Sequence, residues 1–245
     1  MPGQVVDTES AREFMQEARK QISEADLAAI AGECAAKSER FQGWFSPERA
    51  ASVGPAELDA ALGTIFAARR RRREILAAYP AATLGGWIAE LLAPGRPVAE
   101  RFDAFCGRLD GAPETVRSDL AGELLHFTDP ERYWLWTRWM WDPRVRTGAL
   151  PLVTMEEVAL GGATPGETYA RVGEAVAFVR ATGDAAGFTR AADGPFALDV
   201  FLASVYGVYM YTTLRMRMTQ EFNKVVPALP ELCRRLLGVH APARA

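Results

Sequence analysis

The chain has 245 residues, 49% of them hydrophobic and 24% charged, and a net charge of −3. This balance is ordinary for a globular protein of one large or two small domains, and it excludes a global basic field that would draw the chain to nucleic acid. The three cysteines, Cys34, Cys106 and Cys233, are isolated and odd in number, which excludes a CxxC motif and metal-ligand spacing.

The first eight residues read as a loose tail. They lack a basic segment leading into an apolar run, so no secretory signal is expected. Ser10-Ala11-Arg12-Glu13 matches a capping box, with Phe14, Ala18 and Ile22 at helical spacing. Ser23-Glu24-Ala25-Asp26 opens a second helix, closed by Phe41, Trp44 and Phe45. Ser46-Pro47-Glu48 caps a short helix, and Gly54-Pro55 breaks the chain again. One long helix is then expected from Pro55 to Tyr79. Inside it lie five consecutive arginines, Arg69, Arg70, Arg71, Arg72 and Arg73. Such a run reads as a patch for an anionic partner or as a solvated, ion-paired surface. On a helix the five side chains would spread through about 400° rather than share one face.

Further helices are expected over Ala81–Leu92, Pro97–Leu109 and Pro113–Phe127. The last leads into the aromatic segment Leu124 to Pro143, which holds four of the six tryptophans within eight residues. Thr128-Asp129-Pro130-Glu131 reads as a helix start, with proline suited to the first helical position. The spacing predicts a helix to about Trp141, ended by Pro143. It would be aromatic nearly all round, so it is a core helix or a binding surface displaying Trp134, Trp136 and Trp139.

After a basic loop carrying Arg144 and Arg146, Thr164-Pro165-Gly166-Glu167 starts a helix bearing Tyr169, Val172, Val176 and Val179. The longest expected helix runs from Pro195 to about Val226. Its first 19 residues carry one charge, Asp199, a length that could just span a bilayer. Asp199, Ser204, Tyr206 and Tyr209 make a buried central helix the preferred reading, with no membrane partner. A last helix is expected over Glu231–Leu237. The spacing therefore predicts an all-α fold of about nine to eleven helices, taken as one domain over 1–245 with a possible subdivision near residue 110.

The chemistry on display is sparse. Only His126 and His240 are histidines, so a histidine-built metal site is not expected, and His126 reads as a structural residue or a lone general base. No phosphate-binding, dinucleotide-binding, nucleophile-elbow or zinc-protease motif is present. No cofactor, metal or catalytic residue is assigned. The thiols are expected to be buried in a reducing cytoplasm, and the Ala- and Arg-rich composition points to a GC-rich bacterial source.

One resemblance rests on Leu124-Leu125-His126-Phe127, Pro130-Glu131-Arg132-Tyr133, Trp136 and Arg144-Val145, continued by the Tyr169 helix and by Phe196 to Leu202. This pattern, over about residues 124–205, resembles a helical segment associated with McrB-type restriction ATPases. Here Trp134 stands where that pattern has proline, and the ATPase motifs are missing. The resemblance implies a helical accessory module near nucleic acid and carries over no catalytic residue.

Three functions are expected from these residues. The first is a non-catalytic adaptor, accessory subunit or regulator that binds another protein or a second copy of itself, motivated by surplus aromatic and arginine residues. The second is an aromatic small-molecule pocket lined by Trp136, Trp139, Tyr206 and Tyr209, with Asp199 or His126 as its polar group. The third is nucleic-acid association through the arginines.

Overall fold

Helix α1, Thr8–Arg19, starts one residue after Asp7, whose carboxylate accepts from the Ser10 backbone N–H at 3.0 Å and the Ser10 hydroxyl at 2.7 Å. The cap is thus Asp7 rather than Ser10. The residues around it are tied down: Asp7 N–H donates to Val153 O and Met155 N–H to Val5 O. The structure, a computed structural model, describes residues 5–46, 48–187, 194–217 and 227–240, with side chains described for all of these but 214–217.

Ten α-helices are present among the described residues, and the fold class is all-α. After α1 come α2 (Glu24–Trp44), α3 (Pro55–Thr64), α4 (Arg72–Ala78), α5 (Ala81–Leu92) and α6 (Val98–Arg108). The remaining four are α7 (Glu114–Thr128), α8 (Pro165–Ala186), α9 (Ala197–Arg217) and α10 (Leu229–Leu237). The sequence signals that place α2 and α8 are used as expected. Ser23 Oγ accepts from Asp26 N–H at 3.0 Å, and Thr164 Oγ1 accepts from Glu167 N–H at 3.1 Å. β pairing among the described residues is limited to two isolated bridges, Val6 with Thr154 and Asp142 with Thr147.

The chain forms two compact units, each assembled from separated stretches. One comprises Met1–Cys34, Trp139–Val158 and Ala175–Ala245, the other Ala35–Arg138 and Ala159–Glu174. Residue 110 lies inside the second. In the first unit α9 packs on α1 and α10. Its inner face is apolar, with Leu198, Val200, Phe201, Leu202, Ala203, Val205 and Val208 all buried. The expected helix 195–226 is described as α9, and 218–226 lie outside the described residues. Among the described residues no single helix is long and apolar enough to cross a membrane.

In the second unit α5 packs on α6, on α7 and on a 3-10 turn at Ala50–Ser52. Two expectations fail there. The long helix from Pro55 to Tyr79 is broken: α3 ends at Thr64, and a 3-10 turn, Arg69–Arg71, precedes α4. The aromatic segment is also not a helix. Residues 129–138 form an irregular strap after the end of α7. Pro130 ends α7 by pushing Asp129 out of the helical region to φ −149°, ψ 78°, a conformation that would equally serve the cap of a new helix.

What keeps a new helix from forming after Pro130 is packing. A helix aromatic on every side needs apolar neighbours on every side, whereas an extended strap gives each ring its own partners. The strap runs back along α7, fastened at both ends. His126 Nδ1 donates to Tyr133 O at 2.8 Å, and Arg138 N–H donates to Asp119 Oδ1 at 3.1 Å. Trp134 and Tyr169 of α8 stack at 4.7 Å and exchange bonds: Trp134 Nε1 donates to Tyr169 O, and Tyr169 Oη to Trp134 O. Phe102 of α6 stacks on Tyr169 at 4.7 Å and on Trp136 at 5.6 Å. These offset stacks add about 0.5–1.5 kcal/mol each beyond the area they bury.

Two glycines permit the close approach. Backbone of the strap at Trp136 lies directly against Gly122 of α7, and the Trp134 ring lies against Gly173 of α8. A methyl at Gly122 would overlap the Trp136 carbonyl, which is backbone and cannot swing aside. Gly122→Ala is therefore expected to destabilise by about 1–3 kcal/mol or more through overpacking. Gly32→Ala, on an exposed position of α2 with open space around it, is expected to stabilise by about 0.4–1 kcal/mol. Urea denaturation of the two variants checks both signs.

Candidate functional site

The break between α3 and the Arg69–Arg71 turn has a specific cause. Lys37 of α2 and Glu123 of α7 form an ion pair at 2.5 Å, with both side chains essentially removed from solvent. Lys37 Nζ also donates to Thr64 O, the last carbonyl of α3, at 3.3 Å. The Glu123 carboxylate accepts from the Phe66 backbone N–H. The pair thus supplies a cation to the negative end of α3 and an acceptor to an amide two residues later. The ammonium lies 3.9 Å from the Phe127 ring centroid and 5.6 Å from that of Phe41, a desolvated cation–π contact. Burial holds the Glu123 carboxyl above its ordinary value, and Lys37 pulls it the other way.

Beyond the break the chain enters the arginine run. Phe66 is 42% exposed, and the Arg69 guanidinium lies 5.7 Å from its ring centroid. Arg72 Nε donates to Asp59 Oδ1 at 3.0 Å, and Arg71 pairs with Glu74 at 3.1 Å. Arg70 and Arg73 are exposed and have no ion-pair partner among the described residues.

A second exposed feature is the loop carrying Arg144, Val145 and Arg146. Asp142 N–H donates to Thr147 O, Arg146 N–H to Asp142 O, and Arg144 N–H to Asp142 Oδ1. The loop holds Arg146 at φ 54° and leaves Val145 63% exposed.

The aromatic residues divide between the two units. Trp136 is buried with Phe102 and Tyr169 in one. Trp139, Tyr206 and Tyr209 come together in the other, with centroid distances of 6.2 and 6.1 Å along that chain of rings. Trp139 Nε1 donates to Leu236 O of α10 at 3.2 Å, and both tyrosines are half-buried. Asp199 is buried in the first turn of α9, and His126 is fully buried in the other unit from Asp199. Trp136, Trp139 and Trp141 are all buried and Trp134 is half-buried, so these rings belong largely to the core.

His126, Cys106, Cys233 and Asp103 are each engaged or enclosed within the fold. His126 donates from Nδ1 to a carbonyl, which leaves Nε2 as its acceptor nitrogen while the ring is neutral. Burial pushes the Cys106 thiol up to about 12, aided by the nearby Asp103 charge, and pushes Cys233 to about 12. Neither is a thiolate near neutrality. Asp103 accepts from Thr164 Oγ1 at 2.8 Å and Gly166 N–H at 2.7 Å, and so fastens the start of α8. No group of three or more His, Cys, Asp or Glu side chains among the described residues is arranged to hold a metal ion.

Sequence reading missed Lys37, Glu123 and Arg101. The Arg101 guanidinium is buried, donating to Leu91 O near the end of α5, to Arg96 O and to Tyr133 Oη. No local signal marks these residues: partners 86 positions apart are invisible to spacing rules. No protein-family profile, curated protein or solved structure matches the chain.

Lys37→Met leaves a buried carboxylate without its ammonium and is expected to cost about 3–5 kcal/mol at neutral pH. In this variant the folded-state value of Glu123 rises further, because the lowering influence of Lys37 is gone. A carboxyl with a raised folded value binds its proton more tightly in the folded state. The deficit should therefore shrink as pH falls through that raised value toward the ordinary glutamate range. Urea denaturation at pH 8 and pH 5 reads it, and a deficit that grows toward pH 5 contradicts the role given to Lys37.

Proposed function

We propose that the protein is a non-catalytic helical module that binds another protein, as an adaptor, accessory subunit or regulator. The observation that supports this reading most is the contrast between its interior and its surface. His126, Cys106, Cys233, Asp103 and Glu123 are held in hydrogen bonds, ion pairs or apolar surroundings within the fold. The surface instead carries Phe66 beside Arg69, with Arg70 and Arg73 lacking ion-pair partners among the described residues. Arginine and exposed aromatic side chains are the residue types enriched where proteins meet.

The test is a mild pull-down of the tagged protein from its native cell, with half of the lysate treated with nuclease. A stoichiometric protein that survives nuclease is the expected result. Material lost on nuclease treatment would transfer the function to nucleic acid. A solitary protein in both halves would contradict the binding role.

A further inference from the structure

We infer that the face formed by Phe66, Arg69, Arg70 and Arg73 docks an acidic amphipathic helix of a partner protein. The inference rests on the protein-binding reading and names the chemistry of its partner. Of the five arginines, Arg71 and Arg72 are neutralised by Glu74 and Asp59, and Arg69 covers the Phe66 ring. Arg70, in the 3-10 turn, and Arg73, in the first turn of α4, are three residues apart in one continuous helical stretch, where side chains at that spacing are neighbours. Like charges at such a spacing repel and destabilise the segment by a few tenths of a kcal/mol or so. The fold nevertheless holds this segment in place, through the Glu123 bond to Phe66 N–H and the Lys37 bond to Thr64 O. A pair of carboxylates at helical spacing on a partner matches the two guanidinium groups, each of which forms strong charge-assisted hydrogen bonds. An apolar stripe on the same partner helix covers the exposed part of Phe66.

A nucleic-acid backbone fits this face less well. Strong backbone binding neutralises roughly six to ten phosphates. Two unpaired arginines offer about a third of that or less. The chain as a whole is acidic, at −3. A short acidic helix touching only this face carries few charges and needs only those two arginines.

The experiment is a fluorescence-anisotropy titration of the full chain with two labelled probes. One is a 20-residue helical peptide with glutamates three apart beside a stripe of leucines. The other is a 20-nucleotide thymidine strand. The peptide is expected to bind, and its affinity should fall as salt rises, because exposed charges are screened. Arg70→Glu with Arg73→Glu should weaken it about 30-fold, and Phe66→Ser about fivefold. The control, Arg144→Glu with Arg146→Glu, changes net charge equally and should leave peptide binding unchanged. Equal losses in the two double variants, or no peptide binding at all, overturn the inference. So does tighter binding of the oligonucleotide that is lost with Arg70 and Arg73. Arg73→Glu alone replaces a repulsive pair by an attractive one, so its melting temperature should equal or exceed that of the parent. A clear fall would mean that Arg73 is needed inside the fold, and would also overturn the inference. If the Arg70/Arg73 double variant still retrieves its protein partner in the nuclease-split pull-down, this face fails while the protein-binding reading stands. If the parent retrieves none, the reading itself fails.

Discussion

The buried Lys37–Glu123 pair is the constraint on which the second unit depends. Two charges removed from water are costly, and their attraction offsets that cost only with good geometry and further hydrogen bonds. Here both conditions are met. The groups lie 2.5 Å apart, the ammonium has a carbonyl and two aromatic faces, and the carboxylate has a backbone amide. The backbone groups that complete the pair belong to Thr64 and Phe66. The ion pair therefore decides where α3 stops. It also fixes the chain at the residue from which the arginine run departs. Local packing, ion pairing and surface chemistry are in this way linked through one pair.

The strap solves a different problem with the same tools. Its aromatic rings need partners on several sides, and its indole and backbone polar groups need acceptors and donors. The bonds between Trp134 and Tyr169 satisfy both residues, and Gly122 and Gly173 allow backbone and ring to come close. The resulting core leaves little aromatic surface from the strap for binding. Exposed apolar surface is found instead at Phe66, Val145 and Phe178. The first two of these adjoin arginines: Arg69 lies over the Phe66 ring, and Val145 sits between Arg144 and Arg146.

Much of the helical architecture is legible in local sequence. Ser23, Thr164 and Pro113 mark helix starts, and the apolar spacings of α5, α6 and α7 place their inner faces. The two failures have one physical origin. Helical spacing between Pro55 and Tyr79 contains no local sign of a break, because the break is made by residues of α2 and α7 far along the chain. The aromatic segment likewise has helical spacing and a plausible cap, yet its path is set by Phe102, Gly122, Tyr169 and Gly173. Among the proposed site residues, the arginine run is visible in sequence as a charge cluster. That Arg70 and Arg73 differ from their neighbours in lacking an ion-pair partner depends on the positions of Asp59, Phe66 and Glu74. The separation of Trp136 from Trp139 into different units is equally out of reach of periodicity.

The role of the buried pair is tested most directly by hydrogen exchange at the Phe66 amide, in the parent and in a Lys37→Met/Glu123→Leu double variant. Replacing both charges together avoids leaving either one buried alone, so the double variant is expected to fold. In the parent, the Phe66 amide should be protected, exchanging only with large-scale opening. In the double variant it should exchange far faster, while amides in the middle of α7 remain protected. A Phe66 amide that exchanges freely in the parent, or one equally protected in both proteins, would contradict the claim that the buried pair holds the break and the surface beyond it.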